Sequence, residues 1–342
     1  MRGQQTRFIL TMFTVVAIFT IAVVPVATAG RSKVAEITDL GAVLEGSDEG
    51  ALGINEHGEV VGAVVALNGT HEAFLYAHGV ETDLGTLGGS TSVAFGINGR
   101  GHVVGTAGTS AGGAHAFLYM RGDMQDLGTL GGSGSGGYAI NDRDEVVGFS
   151  SLAGDQEFHP FLYANGHMTD LGSLGGNGMA RGINNRGQIV GFSFQPGNQN
   201  YRAFVYQNGI MSDLGTLGGI FSWANAINNR GKIVGYADPG NGTAHAFLYS
   251  NGSMTDLGTF GFAASTAHAI NDLGQVVGTV QPLSGNTLAF LFDRGEGIVL
   301  NSLLPADSGW SLIDAFGINN SGVIVGVGYH NGALRAYSLT PP

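Results

Sequence analysis

Short apolar runs, each four to seven residues long, alternate with glycine- and asparagine-rich breaks along almost the whole chain. No stretch after residue 30 keeps a helical period, so the pattern predicts an all-β array. The runs recur in register. Asp-Leu-Gly begins at Asp39, Asp83, Asp126, Asp170, Asp213 and Asp256, in steps of 43 or 44 residues, and a degenerate copy follows at Val299-Leu300-Asn301. Ile-Asn recurs at Ile54, Ile97, Ile140, Ile183, Ile227, Ile270 and Ile318. Each unit of about 43 residues holds four runs. Strand a ends in Ile-Asn, strand b carries Val-Val-Gly, strand c is His-Ala-Phe-Leu-Tyr or a variant, and strand d runs into Asp-Leu-Gly. Asn-x-x-Gly between a and b predicts a tight hairpin, with Asp144 tolerating the left-handed conformation where one repeat lacks the glycine.

The chain ends decide between an open stack and a ring. The last unit has strands a, b and c and no d, while Val34–Leu40 is a d-type strand with no a, b or c before it. Pairing the two completes a seventh blade. The expectation is a seven-bladed β-propeller of four-stranded blades, closed by the N-terminal strand, occupying 30–342. Small residues three and one before each Ile suit the crowded inner rim, and the strand c aromatics suit the wider space further out.

The first 29 residues read as a signal peptide: Arg2 and Arg7, an apolar run of 17 residues from Phe8 to Val24, and Ala27-Thr28-Ala29 as the cleavage site. This predicts a secreted or periplasmic protein, membrane-bound only if the segment stays uncleaved. With no Cys, no disulfide framework is available. Removing Arg2 and Arg7 takes the formal charge from −12 to −14, which argues against nucleic acid as a partner.

Repeated residues read first as architecture. Asp83, Asp126, Asp170, Asp213 and Asp256 are placed to accept backbone N–H bonds in the turn that follows each, with a calcium-binding carboxylate ring as the lesser alternative. Asn98, Asn141, Asn184, Asn228, Asn271 and Asn319 read as turn residues. His115, His159 and His245 stand on different blades and are not expected to converge on a metal, so no metal site or other cofactor is assigned.

Function is sought where the repeats disagree. Two sets of positions vary. One is the b-to-c loops, among them Gln195–Tyr201 and Asp238–Thr243. The other is two and four residues before each Ile, including Tyr138, Arg181, Trp223, Asn225, His268 and Asp314, with Trp310 nearby. The latter are candidates to line the mouth of a central channel, where aromatic faces and polar groups together suit a sugar. No convergent catalytic set is visible. The reading is an exported non-catalytic binding or scaffold protein whose partner is a glycan or an envelope protein. The alternatives are a carbohydrate-active hydrolase or lyase working at the channel mouth, with Asp314 as one carboxylate, and a structural surface component.

The His-Ala-Phe strand His115–Tyr119, Asp126–Gly132 and Ala269–Gly278 together resemble the HAF family of bacterial extracellular repeats. The resemblance covers nearly all of the chain after the signal segment. It departs at His71-Glu72-Ala73, Pro160, Arg202, Leu288 and the worn last unit. It implies an exported repeat protein and carries no activity with it.

Overall fold

Each blade is a four-stranded antiparallel sheet, and its tight turns are made by residues in the left-handed conformation, glycine foremost. In the a-to-b turn the Asn55 carbonyl accepts the Gly58 N–H at 3.1 Å, with Gly58 at φ +77°. Asp144 takes the corresponding place in blade 3 at φ +61°, as the sequence predicts. In the c-to-d turn Asn165 and Gly166 are both left-handed, the pattern of a two-residue hairpin that matches strand twist.

The computed structural model describes residues 35–43, 50–65 and 70–342. The signal segment assigned to 1–29 lies outside them. Among the described residues the strands form seven four-stranded sheets, a seven-bladed propeller. Blade 4 is typical, with strands Gly178–Ile183, Ile189–Phe194, Tyr201–Gln207 and Ile210–Asp213 from the axis outward. Blade 7 joins the chain ends: Trp310–Ile318, Ile324–His330 and Ala333–Thr340, then Glu36–Ala42 from the N-terminal side as the outer strand. Thr38 lies opposite Ser338, and Asp39 opposite Tyr337. That is the register of Asp126 opposite Phe117 inside blade 2, so the closing strand is a true strand d.

Packing between blades is layered by side-chain size. The alanines three before the Ile (Ala51, Ala94, Ala180, Ala224, Ala267 and Ala315) have no exposed surface. Further out, Phe74, Phe117, Phe161, Phe204, Phe247, Phe290 and Tyr337 form the buried wedge, each worth roughly 1.5–3 kcal/mol by area. The glycine of strand b is fixed by contact. A Cβ on Gly191 would lie 2.0 Å from the Met179 carbonyl oxygen, so only hydrogen fits between strands a and b.

That close approach occurs at a β-bulge in strand a. The pairing register slips by one residue in every blade, between Ala51 and Gly53, Ala94 and Gly96, Gly137 and Ala139, Ala180 and Gly182, Ala224 and Ala226, Ala267 and Ala269, and Ala315 and Gly317. One residue per blade is left out of the ladder. A bulge bends its strand and re-aims that side chain. In blade 7 a second slip, between Leu312 and Asp314, releases Ile313 as well.

Candidate functional site

The seven residues released by the shared bulge are Leu52, Phe95, Tyr138, Arg181, Asn225, His268 and Phe316. All line one cavity of about 910 Å³ on the propeller axis. Isoleucines 54, 97, 140 and 318 line both this cavity and a smaller one, about 260 Å³, at the a-to-b turn end. Toward the b-to-c end the wall is continued by Thr287, Ile313, Asp314, Tyr329 and Leu334.

Following the blades round, the ring of bulge residues divides in two. Phe316, Leu52, Phe95 and Tyr138 make an apolar and aromatic arc, with Phe95 and Tyr138 at 4.9 Å between ring centroids. Arg181, Asn225 and His268 make a polar arc. The arcs join by ring contacts: the Arg181 guanidinium stands 4.2 Å from the Tyr138 centroid, and His268 lies 5.5 Å from Phe316. Asn225 Nδ2 donates to the Ala267 carbonyl at 2.8 Å, which orients its side chain.

Asp314 is held by its surroundings. Its Oδ1 accepts from the Thr279 hydroxyl and from the Ala315 N–H at 2.8 Å, and His268 Nε2 is 3.3 Å away. The Tyr337 hydroxyl donates to the Asp314 carbonyl oxygen at 2.8 Å. Burial, reinforced by the Asp314 charge, pushes the Tyr337 hydroxyl well above its ordinary value, so it stays protonated as a donor. Asp314 is the sole carboxylate among the described residues lining the larger cavity. Glycoside hydrolysis ordinarily takes two carboxylates, roughly 5–10 Å apart.

Five of the seven candidate residues therefore share one wall: Tyr138, Arg181, Asn225, His268 and Asp314. Trp223 and Trp310 do not line it. Trp223 stacks on Phe192 at 3.5 Å and lies near-parallel to Tyr236 at 5.9 Å, in an aromatic cluster that includes Phe194, Tyr201 and Phe221. Burial, with Tyr201 beside it, raises the Tyr236 hydroxyl far above its ordinary value; the Arg181 charge opposes. Trp310 stacks on His330 at 4.5 Å and packs on the core of the last blade. Leu52, Phe95 and Phe316 belong to the ring although sequence reasoning did not name them. Their signal was positional, since they too precede the Ile by two.

The b-to-c loops are only partly free to vary. Asp238, inside one loop treated as variable, is buried. Its carboxylate accepts from the Gly240, Gly242 and Ile220 N–H groups at 2.7–3.1 Å. These backbone bonds, led by that from Gly240, hold its carboxyl below the usual range. Asp238 pins its loop to the neighbouring crossing.

The repeated Asp does accept the N–H of the glycine two residues on, at 2.7–2.8 Å in five blades. In most blades it has a second partner. His115, His159 and His245 each place Nδ1 2.9 Å from the Asp of their own blade, Asp126, Asp170 and Asp256. Arg202 stands for the histidine opposite Asp213, and Arg335 opposite Asp39 at the closure. These carboxylates are tied within single blades. Among the described residues no three His, Cys, Asp or Glu are arranged to hold a metal.

The repeated Asn does more than shape its turn. Each Oδ1 accepts two backbone N–H groups of that turn, as Asn184 does from Arg186 at 3.1 Å and Gln188 at 3.0 Å. Each Nδ2 donates to the carbonyl of the equivalent Asn in the next blade. The sequence of donors runs Asn55, Asn98, Asn141, Asn184, Asn228, Asn271, Asn319 and back to Asn55, at 2.9–3.2 Å. All seven are buried. This ring surrounds the smaller cavity and ties each blade to the next at that end of the axis.

No family model and no curated protein matches the chain. Among solved structures it is similar to the propeller domain of the Trilobed protease from Pyrococcus furiosus, with a TM-score of 0.56 at 11% identity. The match covers 88% of this chain and 94% of that one. That domain is described as having an open velcro topology, whereas this ring is closed by its N-terminal strand. A puromycin-hydrolysing peptidase of Mycobacterium tuberculosis matches with a TM-score of 0.59 at 10% identity, over 86% of this chain and 52% of the enzyme. The chain thus spans about half that peptidase. At such identities the likeness is one of fold alone. Among the described residues no helix is long and apolar enough to cross a membrane.

Proposed function

We propose that this chain is an exported, non-catalytic binding propeller of the HAF repeat kind, and that it holds a carbohydrate in the axial cavity. The observation that carries the reading is the bulge. It takes a strand a residue that differs from blade to blade and turns all seven copies onto a single wall. The positions on either side of it are always alanine or glycine. A pyranose has an apolar face and a hydroxyl-bearing edge, which suits a wall divided into an aromatic arc and a polar arc. With its Oδ1 engaged by Thr279, Ala315 and His268, and with no second carboxylate among the described residues of the wall, Asp314 is better suited to orienting a ligand than to hydrolysing one.

The test is a thermal-shift screen of the exported chain against neutral and acidic oligosaccharides, repeated on Phe95→Ala with Tyr138→Ala. A ligand at 100 times its dissociation constant adds about 2.7 kcal/mol, a readable shift. The expected result is a sugar-dependent rise that the double variant loses. If no sugar shifts the protein, and an envelope extract yields a partner captured through the b-to-c loops, the axial reading is wrong.

A further inference from the structure

We propose that the ligand of the axial cavity carries a carboxylate, as in a uronic acid sugar, and that Arg181 binds it. This rests on the carbohydrate reading and names its chemical class. Arg181 is the only Lys or Arg among the described residues of the cavity wall. Among the described residues its guanidinium has no carboxylate partner and no hydrogen bond; its contact is the Tyr138 ring. Arg100, Arg143, Arg202 and Arg335 each stand within 4 Å of a carboxylate. The carboxylate on the same wall, Asp314, is taken up by Thr279, Ala315 and His268.

An unpaired cation on a half-apolar wall is costly to keep. It is more conspicuous in a chain of net charge −12, which has acidic groups to spare. The Tyr138 contact holds the guanidinium against the wall, and among the described residues no acceptor takes its N–H fork. Such a fork matches a planar carboxylate with two parallel hydrogen bonds. A phosphate would also accept from it. One fixed positive charge in a strongly negative protein balances a monoanion better than a dianion, and the aromatic arc beginning at Tyr138 gives the attached sugar ring a surface. Asn225, next round the ring, has no donor to its Oδ1 among the described residues, so that oxygen can accept from a hydroxyl of the same ligand.

Calorimetric titration of the protein tests this with three uronate trisaccharides (galacturonate, glucuronate and mannuronate), their methyl esters, and glucose 6-phosphate. The ester keeps the shape and removes the charge. The expected result is one acid bound at least tenfold tighter than its ester. Arg181→Gln should lower acid affinity at least tenfold more than ester affinity, so that the preference disappears, and Arg181→Lys should keep part of it. Equal binding of acid and ester, or a preference that survives Arg181→Gln, overturns the carboxylate assignment and leaves the sugar reading standing. Tighter binding of glucose 6-phosphate than of every uronate overturns it in favour of phosphate. Binding of no sugar, charged or neutral, overturns both.

Discussion

The side-chain amide of Asn319 donates to the backbone carbonyl of Asn55 at 3.1 Å, across 264 residues of chain. It is the same bond that joins every other pair of neighbouring blades. Each such Asn therefore serves two structures at once, its own turn through Oδ1 and the next blade through Nδ2. Asn184→Ala strands two part-buried N–H groups and the buried Asn228 carbonyl, each costing up to about 1–3 kcal/mol. We expect a loss of about 3 kcal/mol or more in denaturant unfolding at an unchanged slope. Asn184→Asp keeps the turn acceptor and sets an oxygen against the Asn228 carbonyl. It should destabilise as well, which would place the loss at the joint; near-wild-type stability would place it in the turn.

Gly191 and Gly209 separate two reasons for glycine. A Cβ at 191 meets backbone atoms at 2.0 and 2.8 Å, which no rotamer relieves. At 209 it meets nothing within 4 Å, and the only obstacle is φ +80°. Gly209→Ala should cost about 1–2 kcal/mol, the left-handed penalty. Gly191→Ala should cost clearly more, or prevent the folded protein from accumulating. Soluble yield and unfolding midpoint measure both. Equal effects would mean that strands a and b can move apart.

Acid should loosen the joints. Burial pushes the Asp144 carboxyl up. Hydrogen bonds from His102 and Asn98, with the charges of His102 and Arg100, outweigh it and leave the group below its ordinary 3.8. Asp39 is similarly lowered, with Arg335, Gly41 and His330 overcoming burial. A group lowered in the folded state stabilises it above the unfolded value, and that contribution disappears as pH falls through the folded value. Unfolding midpoints should therefore fall steadily below about pH 4. Asp144→Asn keeps a residue that tolerates positive φ and removes the charge. It should be less stable than wild type at pH 7 and converge on it at pH 3. A constant difference between the two pH values would show that the charge is not the cause.

Thr38 faces Ser338 across the closing pair, and the chain has no other Cys to interfere. Thr38→Cys with Ser338→Cys should cross-link under mild oxidation, visible as a mobility change on non-reducing gels. The bond would close nearly the whole propeller into a loop, with a gain of up to about 5 kcal/mol if the geometry is unstrained. Failure to cross-link while the single variants remain folded would argue against the closure register.

The ring was legible because the chain has a d-type strand too many at its start and one too few at its end; counting sufficed. The bulge was not. Ala-x-Gly-Ile satisfies simple alternation, and nothing in it shows that x leaves the ladder. The Asn ring was hidden for another reason. A turn fully accounts for Asn before x-x-Gly, and the second bond goes to a residue 43 or more positions away. The Asp–His pair could have been found by comparing repeats. Where position 299 loses its Asp, position 288, eleven residues earlier as in the other blades, is Leu rather than His or Arg. Trp223 stands four residues before Ile227 and Trp310 lies nearby in the last blade, yet both pack among aromatic neighbours away from the cavity wall.

The bulge has a consequence for how such a protein diversifies. Leu52, Phe95, Tyr138, Arg181, Asn225, His268 and Phe316 stand outside the strand pairing, so the frame imposes no common side chain on them. Duplication of a blade copies the frame in full, and this codon in each copy is then left free to drift. Lineages that inherit the same ring can come to hold unrelated guests without altering one rung of the ladder.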